Sequence, residues 1–356
     1  MTSVESSTIV LHAERKRFVS SRSEYDVDLW REFKKRWMVF GVLGAVALAV
    51  ISPRLGAPGG NYPACKLRME IVRCCALWNL YYITGRSTGL RGENGVREIR
   101  ARLYALSVLH AQVIAPVLAA VSALALRDAN LDRRLLEGAL VARSRGPCGW
   151  LSLALCCDSS PTTPVLAAIN YVVSLLTAPL AILFFCGRTA LPPLSGIVWT
   201  VVTTAAPFLI GCWRSQRLSP RAPRTITRLL ALLLLYIDCS ALLRDAEGSL
   251  YITDVLATLF LEISSVSLAA AGSSLYAHYG LLRRSESRAL ALAAVPKAVG
   301  LGWEMKVSCM SSGLAHLPTV FLAPTQALLM AALYGTDKVD QLEEDLTFED
   351  LPLLRE

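Results

Sequence analysis

The chain has 356 residues, 54% of them hydrophobic and 18% charged, with a formal net charge of +8. A soluble domain carries about 45–50% apolar and about 25% charged residues, so the balance leans away from an ordinary soluble globule. The positive charges flank apolar blocks instead of gathering on one face, which argues against nucleic acid as a partner and for membrane topology.

The first segment, residues 1–36, is a polar basic tail with Arg15, Lys16, Arg17, Arg22, Arg31, Lys34, Lys35 and Arg36. A cleaved signal peptide sets a short basic stretch directly before its apolar core. Here the first apolar block begins only near Trp37, so the tail reads as cytosolic. Apolar blocks then recur to Tyr334, and they read as about ten membrane helices of roughly 20 residues each. In chain order the spans are 37–52, 67–84, 101–126, 140–157, 164–186, 194–213, 226–243, 255–279, 289–308 and 312–334. The second holds Glu70 and Arg73, three residues apart and so on one helix face; an internal ion pair is the simple reading. The fourth and ninth are interrupted. The block 194–213 contains no charge at all. An acidic tail, 335–356, closes the chain, and 37–334 reads as the membrane domain.

Basic residues gather in four places: the N-terminal tail, the connector with Arg86, Arg91, Arg97, Arg100 and Arg102, that with Arg214, Arg217, Arg221, Arg224 and Arg228, and that with Arg283, Arg284 and Arg288. An even number of spans puts all four on one side, the cytosolic side under the positive-inside rule. Fewer positives, such as Arg127, Arg133, Arg134 and Arg188, fall on the other.

The two interrupted spans occupy matching places in the two halves. The fourth holds Gly146-Pro147-Cys148-Gly149, followed by Pro161 and Pro164; the ninth holds Pro296, Gly300 and Gly302, followed by Gly313 and Pro318. Proline removes a donor and clashes with the preceding turn, and glycine loosens the backbone. Within hydrocarbon the freed groups must face protein or a water-filled cavity. Paired broken segments, one per half, point to the binding site of a secondary transporter; ordinary kinks are the plainer alternative.

Among polar residues inside spans, Lys297 stands out, because an intramembrane lysine is costly and normally faces the bundle interior. It suits pairing with an anionic solute, proton coupling, or a fixed charge in place of a bound sodium; the structural alternative is neutralisation by Glu262 or Asp238. Those two acids are themselves candidate cation or proton sites. Gln112 and Gln326 are candidates to line a polar cavity or to bind helices together. Ser152 is a polar group of the broken fourth span, with Ser144, Cys156 and Asp158. Glu304 and Lys306 lie near the end of the ninth span. The ten cysteines form no C-x-x-C pair, which removes the usual metal and redox spacings. No hydrolase, zincin or phosphate-loop motif occurs, so an enzyme is not expected.

These segments together resemble the sodium/bile-acid cotransporter superfamily, and within it the divergent orphan branch called sodium/bile acid cotransporter 7 with its bacterial relatives. The resemblance covers about residues 37–334. It is carried by Gly41, Pro53, Gly56, Gly59 and Gly60 at the first span and its exit, by Gly89-Leu90, and by Gln112 with Pro116. It continues in the run TVVTTAAPFLIG over 200–211, in PKAVGLGWEM over 296–305, and in Pro324 and Gln326 with the leucines that come after. It implies an all-α polytopic membrane fold of ten helices in two inverted five-helix repeats. These would form a panel and a core domain, with broken fourth and ninth helices crossing near the midplane. It also implies carriage of a solute, coupled to sodium in the best-known members, and for this branch a link to calcium homeostasis and secretory-pathway glycosylation.

Departures from the pattern matter to coupling. Lys297 lies where sodium-coupled members carry an acidic, amide-rich stretch, and a fixed cation there would repel sodium. Ala298 and Ala323 replace the branch's serine and histidine. No cofactor is expected, and sodium coupling is doubtful. In the acidic tail, Glu349 with Leu353-Leu354 resembles an acidic dileucine signal for sorting adaptors; a plain acidic tail is the alternative. The expected protein is a multi-pass transporter-like chain in the plasma membrane or a secretory-pathway or endosomal membrane. It would move a small organic anion by alternating access, or else act as a non-transporting regulator with the same fold.

Overall fold

The apolar blocks become helices because a backbone in hydrocarbon must satisfy its own N–H and C=O groups. The computed structural model describes residues 36–56, 69–88, 101–125, 133–156, 162–187, 194–214, 221–245, 252–298 and 313–334. The chain divides into two units, Met1–Trp37 and Met38–Glu356, and the helical architecture is that of the second. In order come α1 (Trp37–Ile51), the single turn α2 (Pro53–Gly56), α3 (Met69–Thr88) and α4 (Ala101–Leu109). A π turn (His110–Ile114) leads from α4 into α5 (Ala115–Ala125). Next come α6 (Arg133–Ser144), α7 (Gly149–Leu155), α8 (Thr162–Cys186), α9 (Leu194–Trp213), α10 (Arg221–Asp245), α11 (Ile252–His278), α12 (Arg284–Ala294) and α13 (Gly313–Tyr334). No strand longer than a single bridge occurs among the described residues.

Surface and interior are arranged for lipid. Leu176, Leu180, Phe184, Trp213, Ile252 and Phe260 face outward, Phe184 with 84% of its surface exposed, while Arg143, Glu262 and Lys297 are buried. A water-soluble fold does the reverse with its charges. Among the described residues four helices are long and apolar enough to cross a membrane: Ala101–Ala125, Thr225–Leu243, Ile252–His278 and Leu317–Tyr334. Trp37–Ile51 is a shorter apolar helix, and Thr162–Ser174 of α8 and Val202–Trp213 of α9 are apolar stretches of longer helices. The protein is a helical membrane protein.

Three helix starts fall well before the sequence reading, that of α10 at Arg221 against 226 among them. α6 begins at Arg133, well before 140, so Arg133 and Arg134 belong to a helix and not to a connector. Arg133 reaches Glu137 one turn on, at 2.9 Å, and this local pair extends the helix outward. α12 begins at Arg284, where the Glu286 carboxylate accepts the backbone N–H of Arg283 at 2.8 Å and caps the first turn. α13 matches the expected tenth span, 312–334, beginning at Gly313 and running through Pro318. Pro164 lies in the first turn of α8, where its missing donor is not needed.

An apolar core joins α1, α3, α7, α10 and α13 through Met38, Leu80, Leu151, Leu234 and Met330. α3 and α9 approach backbone to backbone at two glycines. A Cβ on Gly85 would overlap the carbonyl oxygen of Phe208, and one on Gly211 that of Tyr82. Small residues permit such approach where no hydrophobic drive separates protein from lipid. The early and late parts of the chain interlock: α6 packs on α13, and α12 packs on α8.

A candidate site at the crossing of two broken helices

Two helices stop short of a proline. α6 ends at Ser144 and α7 restarts at Gly149, with Pro147 between; α12 ends at Ala294, and Pro296 comes just after. Each proline lacks an N–H and would press on the carbonyl four residues back. The freed segments pair with each other as a short antiparallel bridge, Pro147 opposite Lys297. Cys148 N–H donates to Pro296 O at 2.9 Å, and Ala298 N–H donates to Gly146 O at 2.8 Å. Backbone groups that lost their helical partners are thereby satisfied inside protein, as the bilayer demands. Gly149 faces Tyr81 of α3 so closely that a Cβ there would strike the phenol oxygen.

The outer edge of Lys297 is completed by a side chain. Its N–H donates to Gln326 Oε1 at 2.8 Å, and Gln326 Nε2 donates to its carbonyl at 2.7 Å. The amide of Gln326, on α13, thus serves as the peptide of an absent neighbouring strand.

The ammonium end of Lys297 is buried too, with 0% of the residue exposed. Its Nζ donates to Ala111 O at 2.6 Å. That carbonyl is available for a specific reason. The π turn sends Ala115 N–H to His110 O, so Ala111 O would next look to residue 116. Residue 116 is proline and has no N–H. The π turn and Pro116 together orphan one carbonyl, and Lys297 caps it.

Beside the lysine lies a buried ion pair. Arg143 Nη2 of α6 donates to Glu262 Oε2 of α11 at 2.9 Å and to the Glu262 carbonyl at 3.3 Å. The charges of Arg143 and Lys297 act on one another. Arg143 Nε and Glu262 Oε1 are buried without a partner among the described residues. His110 closes the other flank, with Nε2 at 3.0 Å from Ala269 O and Nδ1 at 3.4 Å from the Tyr276 hydroxyl. Asn170 Nδ2 joins α8 to the cluster through Ser107 Oγ at 2.9 Å and Ala293 O at 3.3 Å.

The residues singled out from sequence fall into separate places. Lys297, Gln326, Pro147, Gly149 and Pro296 lie at the crossing, and Glu262 is tied to it through Arg143. Ser152 is buried beneath it but spends its hydroxyl on Cys148 O at 2.9 Å. Gln112, on the π turn, uses both ends of its amide on α8: Nε2 donates to Asn170 O at 3.1 Å, and Oε1 accepts from Thr177 Oγ1 at 2.8 Å. Asp238 belongs elsewhere, paired with Arg73 between α3 and α10 at 2.9 Å. That pair also takes Arg73 away from the expected partner, Glu70. Neither acid weighed as a neutraliser of Lys297 forms a salt bridge to it. Gly300, Gly302, Glu304, Lys306, Asp158, the dileucine tail and the basic N-terminal tail up to residue 35 lie outside the described residues.

Arg143, His110 and Asn170 were not foreseen. For Arg143 a signal existed: with Arg145 it is a charge inside an interrupted span, just before Gly146-Pro147. Among the described residues no group of three or more His, Cys, Asp or Glu side chains could hold a metal ion. In comparison with known proteins, no family model matches the chain and no curated protein is similar enough to match it. Chemically, the crossing sets two basic side chains, Arg143 and Lys297, against one carboxylate in a water-poor interior. With the lysine protonated, that sum favours an anion.

Proposed function

We propose that this chain is a secondary carrier that moves a small organic anion across a membrane by alternating access. The observation that carries the reading is the crossing itself: two proline-broken helices bridged at Pro147 and Lys297, with a buried ammonium and a buried guanidinium beside it. Unwound backbone at membrane depth is tolerated only where it is buried in protein or lines a cavity, and in carriers it builds the binding site. An intramembrane charge is a functional hypothesis by default. Here three such charges converge.

The same reading takes the architecture as two inverted five-helix halves of the bile acid:sodium symporter type. Its support is the exchange of broken helices: α6 rests on α13, the tenth expected span, and α12 rests on α8, the fifth. The reciprocal pair of hydrogen bonds about Pro147 and Lys297 gives that exchange a local two-fold character. Sodium is not expected to drive the cycle, because the one carboxylate at the crossing, Glu262, is already held by Arg143 and the other nearby group, Lys297, is basic. The carrier acts without a catalytic step. It resides in the plasma membrane or a secretory-pathway or endosomal membrane, and its acidic tail is read as a site for sorting adaptors.

Uptake of labelled organic anions into proteoliposomes tests the reading. Accumulation that Lys297→Ala abolishes is the expected result. Absence of uptake across a panel of carboxylates and sulfonates would refute carriage and favour the second reading, a non-transporting regulator of calcium homeostasis or secretory-pathway glycosylation.

A further inference from the structure

Resting on the carrier reading, we infer that the solute anion and a proton bind together, the proton on Nζ of Lys297, so that the protein is a proton–anion symporter. Three observations lead there. First, the partner of Nζ is a carbonyl, Ala111 O. A carbonyl accepts from a neutral amine as well as from an ammonium, so this bond does not fix the charge of the lysine.

Second, the charges around Lys297 balance without it. Arg143 on α6 is permanently cationic and is held by Glu262 on α11. From the π turn, His110 presents Nε2 to a carbonyl, which requires a hydrogen there, and Nδ1 to the Tyr276 hydroxyl. Both nitrogens are thus engaged with the ring neutral. Cys148 faces the lysine strand across the bridge as a backbone partner of Pro296, and α13 contributes the uncharged Gln326. Arg145, buried beside the same break, is a further cation of that segment; Arg143 is the charge that acts on Lys297. With Lys297 as an amine, Arg143 and Glu262 sum to zero; with Lys297 as an ammonium, the three sum to one buried positive charge. A buried, uncompensated charge is strongly disfavoured, and Arg143 adds repulsion.

Third, Arg143 Nε is fully buried without a partner among the described residues, which offers an anion a second donor beside the lysine. An arriving anion supplies the missing negative charge, and it then holds the proton on Nζ. By linkage the proton strengthens anion binding by the same factor that the anion strengthens proton binding. The cycle needs no covalent step. A proton from solvent on the loading side joins the amine lone pair as the anion binds. Both leave on the other side, and the amine returns neutral.

The test uses the purified full-length protein in weakly buffered detergent solution with a pH-indicator dye, titrated with benzoate, succinate or octanesulfonate. The expected result is uptake of about one proton per anion bound, with affinity greatest at low pH and falling by up to tenfold per unit as pH rises through the titration of Lys297. Lys297→Arg, a permanent cation, should bind anion with no proton uptake and no pH dependence. Wild-type binding without proton uptake would overturn the coupling and leave carriage standing. Proton uptake that persists in Lys297→Arg would also overturn it, since the proton would then go elsewhere, Glu262 first. Failure of every anion to bind would remove both the coupling and the carrier reading. The wild-type measurement decides by itself, so the outcome does not depend on a variant folding.

Discussion

Lys297 is held at three points: its N–H and C=O by the amide of Gln326, and its Nζ by Ala111 O. The backbone is fixed by one neighbour and the charge is left to another, so the two roles can be separated by mutation. Gln326→Leu would leave two buried main-chain groups unpaired, at about 1–3 kcal/mol each. Its unfolding midpoint in detergent should fall clearly, whereas Lys297→Met, which keeps the backbone pairing, should change stability far less and transport far more. If Gln326→Leu melts with the wild type, the amide is not completing the crossing. The Arg143–Glu262 pair gives a second contrast. Removing one buried partner strands the other charge, at about 3–5 kcal/mol, while replacing both with apolar residues is often neutral. Glu262→Gln should therefore unfold much more readily than the double variant Arg143→Met/Glu262→Met, as read by a thermal melt. From the sequence Lys297 was legible because a lysine in the middle of an apolar span, away from its ends, has few explanations. Arg143 was not, because it stands with Arg145 near the start of a short, interrupted span, where two neighbouring arginines do not single out either one. Asp238 and Glu262 look alike in sequence, and only the fold assigns one to Arg73 and the other to Arg143.

Helix breaks were the most legible elements. Gly146-Pro147-Cys148-Gly149 and Pro296 interrupt otherwise apolar spans, and proline chemistry forces what the chain then does. The mutual pairing of the two breaks was not readable from spacing, since it depends on two distant segments meeting. Nor was the π turn before Pro116, because a proline in a span signals only a kink. Its role gives a prediction. Pro116→Ala restores an N–H that can reach the Ala111 carbonyl and compete with Lys297. It also removes a poor helix former, worth roughly 3 kcal/mol in a helix interior. The variant should melt at a higher temperature than the wild type yet carry anion several-fold more slowly; unchanged transport would separate Pro116 from the site. The contact of α3 with α9 is a packing matter alone. Gly85→Leu drives a side chain into the Phe208 carbonyl, and it should lower the melting temperature by pushing the helices apart. A stable Gly85→Leu protein would mean that the helices do not meet there.

At the scale of the molecule, the sequence showed a membrane chain by distribution more than by composition, because charges between apolar blocks carry topology while their sum does not. Exposed leucines and phenylalanines around buried charges bear that out physically. Carriage by alternating access requires that water reach the crossing of the two broken helices from each side in turn. Cys148 provides a native reporter, a buried thiol beside the bridge. In a background with the other cysteines replaced, a membrane-impermeant maleimide can be applied to either face of sealed proteoliposomes. A carrier should show Cys148 labelled from both faces, with the balance between them shifted by a transported anion. Labelling from neither face, or from one face only whatever solute is present, would contradict alternating access at the crossing.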